Sequence, residues 1–172
     1  MGLHLEASHF GYAQNDYLLG ENYFRGGEYE KATTVFKKLY DNSPFNTTYL
    51  QRLITCYQET NQFVRAEELL KTKIQSNPSQ VFLYVYLGYN YERQQQKETA
   101  TVYYEKALSE IDKKSNYSGI IAAIFKNYSL LDYAITAYEK AMANNPKANY
   151  NFQIAQIYGE KGAFKKMFQS YI

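Results

Sequence analysis

The sequence has no tryptophan, one cysteine, three prolines and two histidines in 172 residues. A single thiol, Cys56, excludes an intrachain disulfide framework. Few prolines, with nine glycines, leave little room for long irregular stretches. No apolar run approaches the roughly 18 residues that a membrane helix needs, so no integral membrane segment is expected. The net charge of +2 is spread over intermixed Lys and Glu, without a basic block to displace many counterions from a phosphate backbone. Nucleic acid is therefore not an expected partner. His4 and His9 lack a surrounding set of cysteines or carboxylates, which argues against a metal site. The glycine pair in "RGGEYEKA" lacks the GK[ST] ending that phosphate cradling requires. Nothing in the chain calls for a cofactor.

What the chain has in excess is tyrosine, 20 residues beside 10 phenylalanines. Such side chains pack through the ring and keep a hydroxyl at a wet edge, so seams and grooves are expected to carry them. The chain also has a period. Ala32, Ala66, Ala100 and Ala134 recur at one constant interval, the same from each alanine to the next. In the same register stand Gly20, Ile54, Gly88 and Ala122, then Tyr23, Tyr57, Tyr91 and Phe125, then Phe36, Leu70, Tyr104 and Tyr138. Pro44, Pro78 and Pro146 close three of the units, with Asp112 in the remaining one.

Asp16, Leu19, Gly20 and Tyr23 follow the i, i+3, i+4, i+7 steps of one helix face, and Tyr29, Ala32, Phe36 and Leu39 do the same on a second. "RGGE" breaks the two apart and "NSPFN" ends the second. Each unit then reads as an antiparallel helix hairpin in which the small residues mark close helix approach. A lone hairpin cannot bury its apolar faces, so neighbours must stack.

This pattern resembles the tetratricopeptide repeat. The resemblance implies an all-α fold, a right-handed α-solenoid superhelix of antiparallel helix hairpins, with repeats at about 13–46, 47–80, 81–114 and 115–147 and a partial one at 148–172. The third unit lacks its closing proline, and its second helix is expected to run a turn longer. The fifth fits after a one-residue slip, with Ile154, Ala155, Tyr158, Gly162 and Phe164 in place. Residues 1–13 read as an arm or as the remnant of a signal or tag, since "FGYAQND" has the small-x-small spacing of a cleavage site but no apolar run precedes it.

The resemblance also implies function. The first helices of such repeats line a concave face, which carries over to Tyr17, Glu21, Phe24 and Arg25 in the first unit and Arg52 in the second. The third contributes Phe82, Tyr89 and Arg93, and the fourth Asn116, Lys126 and Asn127. Aromatics and arginine dominate interface energies, which suits a groove that holds a peptide or protein; equally, Tyr17 and Phe82 could pack between adjacent first helices. The Lys and Asn clamp that grips chaperone C-termini in one subfamily is absent, since those positions hold Tyr17, Glu21, Arg52, Phe82 and Tyr86. Cys56 has no histidine in its unit and reads as a small buried hydrophobe. The expected function is a non-enzymatic interaction scaffold. Alternatives are the targeting or assembly arm of a larger protein with a catalytic part beyond residue 172, or a homo-oligomerisation module. The last reading rests on Ile154, Tyr158, Phe164, Phe168 and Tyr171, which leave the C-terminal end open for self-association. The overall look is similar to tetratricopeptide proteins of Gram-negative bacteria that act outside the cytoplasm.

Overall fold

The computed structural model describes residues 3–111, 117–145, 147–163, 166, 169 and 170, with side chains from residue 14 onward. Nine helices appear among these residues: α1 (Leu3–Arg25), α2 (Tyr29–Asn42), α3 (Thr47–Glu59), α4 (Phe63–Ser76), α5 (Leu83–Arg93), α6 (Lys97–Ile111), α7 (Ser118–Asn127), α8 (Leu131–Asn144) and α9 (Asn151–Glu160). The fold is an all-α helical-repeat solenoid. Two compact units divide it, Met1–Leu69 and Leu70–Ile172, with the division falling inside α4.

The four periodic alanines are all buried, none more than 2 % exposed. Two glycines in register explain how closely the helices of one hairpin approach. A Cβ on Gly20 would stand 3.0 Å from the tip of the Phe36 ring, and one on Gly88 would stand 2.4 Å from a Tyr104 ring carbon. Ring and glycine are therefore complementary halves of one contact in α1/α2 and again in α5/α6. In the fourth repeat, Ala122 and Tyr138 occupy the matching positions and both are buried.

Every hairpin turns through three residues, and the middle residue is left-handed each time: Gly27 (φ 73°), Asn61 (56°), Gln95 (62°), Ser129 (59°) and Gly162 (69°). The interval between them is constant until the last, which arrives one position early, as the slip in the fifth unit requires. The last residue of each turn donates its N–H to the carbonyl five back, Glu28 to Tyr23, Gln62 to Tyr57, Gln96 to Tyr91, Leu130 to Phe125 and Ala163 to Tyr158. This Schellman arrangement satisfies carbonyls that the helix end would otherwise leave bare. Gln95 and Ser129 adopt a conformation that costs a side-chain-bearing residue about 1–2 kcal/mol, whereas glycine adds roughly 0.4–1 kcal/mol of unfolded-state freedom. Gln95→Gly and Ser129→Gly are each expected to stabilise the fold by about 0.5–1 kcal/mol, read as a higher urea midpoint. A lower midpoint would mean that their side chains hold the turns.

At the other loops, Asn46 caps α3, its Oδ1 accepting from the N–H groups of Thr48 and Tyr49. The helix α6 has fifteen residues against fourteen in α2, α4 and α8. Any further turn would fall on residues 112–116, outside the described residues, as do Asn116, Pro146, Phe164, Phe168 and Tyr171. Residues 3–13, set apart on sequence as an arm, have a helical backbone continuous with the rest of α1.

Candidate functional site

In residues 1–69, the carried-over positions meet one another instead of standing apart. Glu21 on α1 is only 5 % exposed. Its carboxylate accepts two bonds from Arg52 on α3, from Nε at 2.6 Å and from Nη2 at 3.1 Å. Arg25, largely exposed, approaches the same carboxylate at 3.8 Å. The Arg52 guanidinium also lies 4.5 Å from the centroid of the Phe24 ring, and that ring meets Tyr29 and Phe36 edge-on. Tyr17 rests against Phe36 and Tyr49. The arrangement is a bidentate, ring-backed brace between the first helices of two successive repeats. Glu21, expected to line a groove, is committed to that brace because burial makes a carboxylate costly unless a cation meets it. Of this set, Arg25 presents the most surface to solvent.

In residues 70–172, Phe82 is 3 % exposed and its ring lies 5.7 Å from that of Tyr117. It fills the seam ahead of α7 and is not a groove surface. Tyr89 is half-buried and stacks on Tyr128, with centroids 3.8 Å apart and planes 13° from parallel. Tyr86 meets Tyr128 edge-on. Arg93, one turn beyond Tyr89 on α5, holds its guanidinium 5.8 Å from the Tyr89 centroid, with Nη1 donating to the phenol oxygen at 3.4 Å. Lys126 on α7 pairs with Glu160 on α9 at 3.2 Å, and Asn127 beside it is exposed. Tyr89, Arg93, Lys126 and Asn127 thus retain solvent contact at the turn ends of successive first helices. The sequence reading missed Tyr128 and Glu160. Tyr128 stands where the other units have Gly26, Thr60 and Gln94, so the repeat pattern carries no signal for it.

Two groups are chemically quiet. Burial pushes the Cys56 thiol up to about 12, with a hydrogen bond to Thr33 and the nearby Arg52 charge only partly opposing it. At neutral pH Cys56 is a protonated core residue. Burial, and the Glu92 carboxylate to which it donates, hold the Tyr104 phenol far above its ordinary range. Among the described residues, no His, Cys, Asp and Glu groups are placed to hold a metal ion. No described helix is long and apolar enough to cross a membrane.

Two family models, each described as tetratricopeptide repeat, match residues 14–46 and 83–113. No curated protein matches the chain. Among solved structures, a thermophilic TPR protein of Thermus thermophilus is similar in fold, at 20 % identity and a TM-score of 0.53 over 92 % of this chain and 88 % of that one. MamA from Desulfovibrio magneticus RS-1, residues 41 to the end, is similar at 14 % identity and a TM-score of 0.50 over 92 % of this chain and 90 % of that one. A MamA RS-1 double mutant gives 14 % and 0.51 over the same shares.

Proposed function

Since the chain belongs to the tetratricopeptide-repeat family, whose members are generally non-catalytic scaffolds for protein contacts, we propose that it is a non-enzymatic scaffold that seats an extended peptide on the first helices of residues 70–172. The observation that carries this reading is the half-buried Tyr89, supported from behind by Tyr128 and flanked by Arg93. A preorganised ring beside a guanidinium costs little entropy on binding, and these residue types supply most of the energy at protein interfaces. Lys126 and Asn127 extend the surface with polar contacts that fix peptide register. Tyr17, Phe24 and Arg52 serve this reading only indirectly, by keeping α1 and α3 in place, while Arg25 remains open to solvent.

Selection of linear peptides from a random display library on the immobilised chain tests the proposal. The double variant Tyr89→Ala with Arg93→Ala is expected to bind the selected peptides at least about tenfold more weakly, with little change in stability. Lys37→Ala with Lys38→Ala, both exposed on α2, should leave binding intact. Equal losses from both pairs, removed by moderate salt, would show charge attraction without a groove.

A further inference from the structure

The repeat calls for a ring at Tyr57 but not for a hydroxyl, because Phe125 fills the same position two units later. Tyr57 is only 7 % exposed, and its phenol oxygen has no hydrogen-bond partner among the described residues. Buried polar groups are ordinarily paired, so a hydroxyl left open in a nearly buried side chain points to something outside the chain. The ring stands in the wall of a cleft of about 480 Å³, formed within residues 1–69 by Lys37, Lys38, Asp41 and Asn42 of α2, Tyr57 of α3 and Arg65 of α4. The Lys37 ammonium feels both the Tyr57 phenol and the Arg65 charge, which places the hydroxyl on the cleft side.

The charges sort the possible ligands. Lys37 pairs with Asp41 at 2.6 Å, and Lys38 with Asp16 of α1 at 2.8 Å. Arg65 donates from Nη1 to the Gln62 side chain at 2.6 Å and meets no carboxylate among the described residues. Three cations thus face two carboxylates, and the unmatched charge is Arg65. Each ammonium keeps N–H donors beyond the one its carboxylate takes, as Arg65 does beyond Gln62. The cleft therefore offers donors from three helices, a hydroxyl among them, to a group rich in acceptor oxygens. A phosphate can be met from several sides at once, whereas a carboxylate is planar and presents two oxygens. The volume lies within the range of small-molecule pockets and leaves room for an organic group behind the phosphate. We propose that this cleft binds a small phosphate monoester, its oxygens taken by Arg65, Lys37 and the Tyr57 hydroxyl.

Titration of the 172-residue chain with phenyl phosphate, followed by amide chemical shifts in about 0.15 M salt, tests this. Saturable shifts centred on α2 are expected, with a Kd of about 0.1–1 mM, and benzoate should bind at least about tenfold more weakly. Arg65→Gln, at an exposed position, should weaken phenyl phosphate about tenfold, and Tyr57→Phe about threefold to tenfold. Tyr57→Phe should leave the urea midpoint unchanged, because the hydroxyl serves no bond in the fold. Lys31→Ala, on the same helix but outside the cleft, should leave the affinity unchanged. Shifts that never saturate, benzoate bound as tightly as phenyl phosphate, affinity indifferent to Arg65→Gln and Tyr57→Phe, or a midpoint lowered by Tyr57→Phe would each overturn the proposal. Tyr89 lies in the other compact unit and phenyl phosphate contains no peptide, so this reading and peptide capture fail separately.

Discussion

Replacing Arg52 with alanine is expected to destabilise residues 1–69 by about 2–4 kcal/mol, measured by urea unfolding at unchanged slope. The loss comes less from the attraction removed than from what is left behind. Glu21 stays at 5 % exposure with its two bonds gone. Breaking a buried pair from one side costs about 3–5 kcal/mol in general. The cost here is smaller because the Arg52 side chain is itself 36 % exposed and Arg25 remains within 3.8 Å of the carboxylate. The variant also loses the guanidinium from the face of Phe24. Glu21→Leu combined with Arg52→Met should recover most of the loss, since apolar replacements of similar volume leave no orphaned charge. If Arg52→Ala alone costs under about 1 kcal/mol, water reaches Glu21 and the brace carries no stability.

Phe36→Ala should cost more, about 3–5 kcal/mol. Phe36 is fully buried, with Tyr17 and Phe24 edge-on to its ring and the backbone of Gly20 against its tip. Glycine cannot extend a side chain into the space the ring vacates, so the cavity stays open unless the helices move. Adding Gly20→Leu to Phe36→Ala returns side-chain volume from the opposite wall and is expected to restore part of the loss. Gly20→Leu alone should be destabilising through overpacking. A double variant whose cost equals the sum of the two single costs would show that the residues do not share one space.

The hairpins, their small-residue contacts and the slip in the fifth unit were legible in the sequence because they are set by local spacing. Ala32 and Gly20 are small for a reason that returns with every repeat, and recurrence can be counted. The fate of the carried-over surface positions was less legible. A position in a repeat fixes where a Cβ points but not what another helix brings to meet it. Glu21 is met by Arg52 and Phe82 by Tyr117. Each partner belongs to the repeat that follows, and neither type is demanded by the pattern. Tyr89 kept its solvent face because its ring partner, Tyr128, sits to one side at a turn. Residues 3–13 extend α1 because "LHLEAS" offers helix formers and no breaker before Gly11, a signal that composition near a terminus easily hides.

The three-residue turns also govern how fast the chain finds its fold. Each closes a loop of minimal length and fixes its register through a bond spanning only five residues, as from Glu28 to Tyr23. The entropy spent before the first rewarding contact is therefore small, and most partners within a hairpin are near neighbours in sequence. Nucleation can begin at any of the five turns and spread by adding the adjacent helix, with no one turn setting the rate. The left-handed residues that cost a little stability at Gln95 and Ser129 thus sit where the polypeptide commits earliest to reversing direction, so their conformational cost falls on the closure of the turn as well as on the folded state.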